Sequence, residues 1–282
     1  MKPPMPAPVA EWRNDTYTSI SPTRPELSAK GKRIIVTGGG AGIGAEIVRS
    51  FAAAGATQIA ILGRRRDKLE ATKINIEKEF EGANISLHAA DITNEADLLK
   101  AAKEIGTWDV LVMNAGYMST PNSLVETDME DWWKGFEAST TLSPALTVRA
   151  FIPTKGPEPI ILGTSTMAVA LPPAMLPRYS SYVVSKLATI KLNELLQEEH
   201  PDVRFVTVHP GVVETDMFTK SEMAGLPIDQ IKLPADFTVW LASKEAEFLR
   251  GKFVSCNWDV DEMKSRVEEF SADGAFTVGL KL

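Results

Sequence analysis

The sequence predicts an α/β fold: a single doubly wound domain whose parallel sheet of about seven strands is flanked by helices on both faces. Three observations carry this. Short Val/Ile/Leu runs alternate with helix-length stretches from Lys32 onward. Those runs are nearly continuous instead of alternating apolar with polar, which marks strands buried on both faces. A glycine-rich turn joins the first strand to the first helix.

The elements follow in order. RIIVTG (33–38) reads as the first strand, with a helix from about Gly44 to Ala54. QIAILG (58–63) is the second, followed by a charged helix from about Asp67 to Phe80. ISLHAAD (85–91) precedes a helix over Glu95–Ile105, and DVLVMNAG (109–116) precedes one long helix from about Met129 to Phe151. PIILGTS (159–165), a helix over about 181–199 and RFVTVHPG (204–211) come next. A helix from about Pro234 to Ala242 leads to the last strand, FVSCNW (253–258). Residues 1–30, rich in Pro, Ser and Thr, read as an extended arm, lying on the surface or partly disordered. The domain itself covers 31–282, with a substrate-loop insertion around 217–233 and a C-terminal extension from about 259.

Composition excludes several function classes. The 282 residues carry a net charge of −7 and no basic stripe able to neutralise phosphates, so no nucleic-acid partner is expected. No run approaches the roughly 18 apolar residues of a membrane span, so no membrane partner is expected. The lone cysteine, Cys256, cannot form an intramolecular disulfide, which fits a reducing compartment and makes the cytoplasm the expected location. His88, His200 and His209 are scattered without metal-ligand spacing, so no metal is expected, and His209 reads as structural.

TGGGAGIG (37–44) places Gly38, Gly42 and Gly44 between strand and helix. Such a turn needs positive φ, lets the backbone approach a pyrophosphate and presents the helix N–H groups to it. Where an NAD site ends its second strand in an acid, this chain has Gly63 followed by Arg64, Arg65 and Arg66. Guanidinium groups there suit a 2′-phosphate, so the expected cofactor is NADP(H). Three cations at a helix start oppose the macrodipole and are better explained by an anion, although one of them can be purely surface.

TGGGAGIG, Asp91 after the third strand, NAG (114–116), Tyr182-Val-Val-Ser-Lys186 and PGVVETDM (210–217) occur in the order seen in the short-chain dehydrogenases/reductases, which the chain resembles from about residue 31 to about 260. PTRPELSAKGK (22–32) and NWDVDEMK (257–264) resemble fungal members. The resemblance implies an oxidoreductase on a Rossmann domain. It implies that Gly38, Gly40, Gly42, Ile43 and Gly44 hold the pyrophosphate side, that Asp91 and Ile92 meet the adenine, and that Asn114, Ala115 and Gly116 line the ribose. Pro210, Gly211, Val213 and Thr215 would border the nicotinamide, and Tyr182 and Lys186 would be the catalytic pair. A homodimer or homotetramer built on the long fourth and fifth helices is also implied.

The residues permit that chemistry. Tyr182 and Lys186, at i and i+4, share a helix face. An ammonium beside a phenol lowers its pKa, and a tuned phenol donates a proton to a carbonyl oxygen or accepts one in reverse. Tyr179 lies two turns from Lys186, roughly 10 Å along the axis, and reads as a pocket wall or a core residue. Among GTST (163–166), Ser165 is expected to hold the substrate oxygen. It lies further from Tyr182 than is usual in the family, so the loop MAVALPPAMLPR reads as lengthened. Ser139 stands where many members carry an asparagine that supports a water-linked proton relay to the lysine; a serine can hold a water but presents no amide carbonyl. Met118, Met167, Met217 and Phe218 suggest a pocket for a bulky apolar substrate. The expected reaction is interconversion of a ketone and a secondary alcohol on a small, mostly apolar molecule. The alternative, motivated by Ser139 and the lengthened loop, is non-redox work in the same groove: dehydration, isomerisation, ring closure or cofactor binding alone.

Overall fold

The computed structural model describes residues 1–139, 142–223 and 225–280, apart from the side chain of Ser139. Seven strands form one parallel sheet: β1 (Arg33–Thr37), β2 (Gln58–Gly63), β3 (Asn84–Ala89), β4 (Trp108–Met113), β5 (Lys155–Thr164), β6 (Arg204–His209) and β7 (Phe253–Ser255). Their order is β3-β2-β1-β4-β5-β6-β7. The described helices are α1 (Gly42–Ala53), α2 (Arg66–Glu79), α3 (Glu95–Ile105), α4 (Met129–Ser139), α5 (Leu142–Phe151), α6 (Ser180–Glu199), α7 (Asp216–Ser221), α8 (Lys232–Leu241), α9 (Val260–Ser265) and α10 (Val267–Ser271). The strand order reverses between β1 and β4, and such a switch point opens a crevice at the strand carboxyl ends.

The core explains the continuous apolar runs. Ile34 and Val36 of β1 face a cluster containing Ile47 and Phe51 of α1 and Phe237 and Trp240 of α8. Ile35, between them, faces the opposite cluster, with Leu98 of α3, Phe151 of α5 and Leu196 of α6. Successive side chains of a strand point to opposite faces, so a sheet covered on both sides needs apolar residues at every position.

The structure adds detail to several expected elements. Of the helix expected over 129–151, α4 describes the part up to Ser139 and α5 the part from Leu142; positions 140 and 141 lie outside the described residues. The last strand stops at Ser255, because the chain turns there with the Trp258 N–H on the Ser255 carbonyl. The insertion carries a short helix, α7, whose N-cap Thr215 accepts a hydrogen bond from the Phe218 N–H. The N-terminal arm is packed onto the domain: Val9, Trp12, Ile20 and Leu27 are buried. Trp12 bridges Trp258, Arg13 pairs with Asp259, and Arg24 pairs with Glu245.

Candidate active site

The glycine turn is locked from below. Thr37 Oγ1 accepts the N–H groups of Asn114 and Ala115, both at 3.1 Å, and Asn114 Nδ2 donates to the Thr37 carbonyl at 3.1 Å. The ends of β1 and β4 are thereby tied. Gly38 has φ +70°, and a methyl at position 44 would lie 2.2 Å from the Gly38 carbonyl oxygen. Only glycine lets α1 start this close to the turn. No side chain caps α1 and no acid stands in its first turn, so its leading N–H groups are open to an anion. A groove of about 890 Å³ begins here and runs along the strand ends.

Arg64, Arg65 and Lys68 border one end of that groove. All three are exposed. Arg66 turns away and pairs with Glu70 at 2.9 Å. Asp91 borders the groove beside Arg64: its Oδ1 accepts both the N–H and the hydroxyl of Thr93, and its Oδ2 is 3.9 Å from Arg64. Burial pushes its carboxyl up, but Thr93 and Arg64 outweigh that and hold it below the usual range.

The other end holds the phenol. The start of α6 is fixed against α4: Ser181 Oγ donates to the Trp132 carbonyl at 2.6 Å, and Trp132 Nε1 donates to Ser180 Oγ at 3.1 Å. A methyl at Gly135 would lie 2.3 Å from Ser181 Oγ, so this approach also depends on a missing side chain. Tyr182 and Lys186 both border the groove. Lys186 is 4% exposed, its Nζ donates to the Thr164 carbonyl at 3.1 Å, and burial pulls its pKa down to about 8. The Tyr182 phenol is pushed up by burial and partly held back by a hydrogen bond with Thr166. The lowering expected from Lys186 is therefore not what dominates; desolvation of the phenol wins.

Ser165 borders the groove, where it was expected; its hydroxyl is buried and donates to the Lys186 carbonyl at 2.9 Å. Its N–H continues the ladder to the Val208 carbonyl. Thr166, the N-cap of the turn over Met167–Ala170, is the hydroxyl beside the phenol.

The remaining expected residues divide as follows. Gly38, Gly40, Gly42, Ile43, Gly44, Asp91, Ile92, Asn114, Ala115, Gly116, Met118, Pro210, Thr215 and Met217 border the groove. Gly211 and Val213 are not among the residues lining the groove, and Val213 is buried. Met167 packs on the core, and Tyr179 donates its hydroxyl to the Ser221 carbonyl at 2.8 Å, anchoring α7. Phe218 is half-buried on α7 outside the groove lining. The side chain of Ser139 lies outside the described residues.

The fold and these motifs meet in one family. The family model for short chain dehydrogenases matches residues 32–224. The chain belongs to the short chain dehydrogenase family. These are oxidoreductases that use nicotinamide cofactors and act on small molecules. This short chain dehydrogenase is 33% identical to a short chain dehydrogenase/reductase from Claviceps purpurea, covering 99% of this chain and 96% of that one. It is 29% identical to another from Aspergillus novofumigatus, over 98% and 97% of the two chains. Its fold matches a short-chain type dehydrogenase/reductase from Mycobacterium ulcerans with a TM-score of 0.73 at 24% identity, covering 81% and 89% of the two chains. It matches a Shigella flexneri short chain dehydrogenase complexed with NADP with a TM-score of 0.75 at 21% identity, over 83% and 99%.

Several groove residues of this short chain dehydrogenase were not singled out from sequence. Tyr117 donates its hydroxyl to Asp131, and Lys220 of α7 donates to Tyr117 Oη at 2.8 Å, joining the insertion to the loop after β4. Lys220 is one of two lysines in the insertion 217–233, and nothing in the sequence set it apart from Lys232. Lys68, one turn into α2, was signalled by its closeness to the arginines. His209 is not in the groove lining; its Nδ1 is buried without a partner, and burial pulls its pKa to about 3, so it is neutral at working pH. Among the described residues, no helix is long and apolar enough to cross a membrane.

Proposed function

We propose that this chain is an NADP(H)-dependent oxidoreductase that interconverts a ketone and a secondary alcohol on a small, mostly apolar substrate. The observation that carries the reading is one groove with a buried lysine and a phenol at one end and three exposed cations at the other. The open N–H groups of α1 and the Gly38–Gly44 turn fit a pyrophosphate, and Arg64, Arg65 and Lys68 fit a 2′-phosphate. Bound NADP(H) supplies or accepts the hydride.

The chain's own residues handle the proton. Burial keeps the Tyr182 phenol protonated at neutral pH, which is the form that donates to a carbonyl oxygen. The Thr166 hydroxyl, hydrogen-bonded with the phenol just outside the groove lining, would hold the substrate oxygen beside it, the role expected of Ser165. Lys186, with a pKa of about 8, is charged at neutral pH and favours the phenolate left behind. A cavity of about 10 Å³ lies behind Lys186, lined in part by Ser143, Thr147 and Thr189. It has room for about one water, which would reprotonate Lys186 after the ammonium has passed a proton to the phenolate. Met118 and Met217 give the substrate end its apolar wall. Trp133 of α4 and Val184 of α6 are about half exposed, as the faces of a homo-oligomer would be in the separate chain.

The test is loss of the reduced-nicotinamide absorbance when NADPH and then NADH are mixed with a panel of apolar ketones. Turnover favouring NADPH is expected. Tight NADPH binding with no turnover on any ketone would refute the redox reading.

A further inference from the structure

The loop after β6 borders the groove through Pro210 and Thr215. It turns at Gly211, whose φ is +76°. Asp229 stands directly behind the turn and is 6% exposed. The Val212 N–H donates to Asp229 Oδ2 at 2.8 Å, and the Asp229 N–H returns a bond to the Val212 carbonyl at 2.7 Å. A methyl at position 211 would lie 2.4 Å from Asp229 Oδ2, so loop and carboxylate are in direct contact.

The second oxygen is also used. Asn257 Nδ2 donates to Asp229 Oδ1 at 2.9 Å and to the Arg13 carbonyl at 2.8 Å. The Gln230 N–H donates to the Asn14 carbonyl at 2.8 Å. A continuous path of hydrogen bonds thus runs from the N-terminal arm through Asn257 and Asp229 to the groove loop. No salt bridge to Asp229 is among those formed by the described residues. A buried carboxylate without a cation is a poor choice for filling space, since desolvation works against it. Its advantage is geometric: two acceptor oxygens in one plane, each holding a different donor. A neutral amide of the same size offers one.

We propose that Asp229 is a positioning residue: with Asn257, it holds the Gly211–Val212 turn in the shape that the nicotinamide end of the cofactor requires. This rests on the cofactor reading given above. The adenosine end, at Arg64, Arg65 and Asp91, lies at the opposite side of the sheet's switch point, and none of these three residues takes part in the hydrogen bonds of this path.

The test uses the full chain and two probes: NADPH, and adenosine 2′,5′-bisphosphate, which lacks the nicotinamide half. In Asp229→Asn, NADPH affinity is expected to fall by about tenfold, the effect of losing one hydrogen bond to a charged group. Affinity for the bisphosphate is expected to stay within about twofold. Asn257→Ala, which leaves the carboxylate in place, is expected to give the same split with a smaller NADPH loss. Equal losses for both probes, or no loss for either, would overturn the proposal and leave Asp229 with a structural role alone. If the unaltered chain binds neither probe, the cofactor reading falls and this inference with it. If it binds both and the variants show no split, only the inference falls.

Discussion

Replacing Lys186 with methionine separates stability from catalysis. The ammonium is 4% exposed, and burial takes its pKa from 10.5 to about 8. At roughly 1.4 kcal/mol per pH unit, holding that charge inside destabilises the fold by about 3 kcal/mol at pH values below 8. Methionine fills a similar volume without the charge, but leaves the Thr164 carbonyl without its donor, a loss of about 1 kcal/mol. The expected net gain at pH 7 is about 2 kcal/mol. The sign follows from proton binding. Between pH 8 and 10.5 the unfolded chain holds the lysine proton and the folded chain does not, so the unaltered protein gains stability as pH rises through that window. The advantage of the variant should therefore shrink and disappear by about pH 10. Urea unfolding of the cofactor-free protein at pH 7 and pH 10 measures both values, and ketone turnover should be lost in the same variant. A variant less stable than the parent at pH 7, or a difference that is the same at both pH values, would refute the reasoning.

Three further outcomes follow. Thr166→Val should lower kcat by about 10²-fold, the scale of losing one donor at a developing oxyanion, while Ser165→Ala should leave kcat within about threefold and reduce stability by about 1 kcal/mol. Steady-state rates and thermal unfolding of the two variants check this, and the reverse ranking would restore Ser165. Arg64→Ala and Arg65→Ala should weaken NADPH far more than NADH in direct binding measurements, with equal losses counting against a 2′-phosphate site. Gly44→Ala should abolish binding of either dinucleotide, because the added methyl would meet the Gly38 carbonyl at 2.2 Å; retained binding by calorimetry would contradict the cradle.

The sheet was legible because burial on both faces forces apolar residues at successive positions, as Ile34, Ile35 and Val36 show. The glycine turn and the Tyr182/Lys186 spacing were legible because each depends on local geometry alone. What sequence could not supply was direction. GTST offers three hydroxyls in a row, and which one reaches the phenol depends on where β5 stops following its neighbour; that left Ser165 facing Lys186 and Thr166 facing Tyr182. The arm over residues 1–30 lacks periodicity, since it is held by single contacts to distant partners such as Trp258 and Asp259. Asp229 was invisible for the same reason: its partners, Val212 and Asn257, lie 17 and 28 residues away.

The most direct test of the account is Tyr182→Phe. This change removes the phenol oxygen and leaves the ring, the helix and the groove in place. The account predicts that the variant binds NADPH as the unaltered protein does and reduces no ketone on which that protein turns over. Ketone reduction by Tyr182→Phe at the unaltered rate would contradict it.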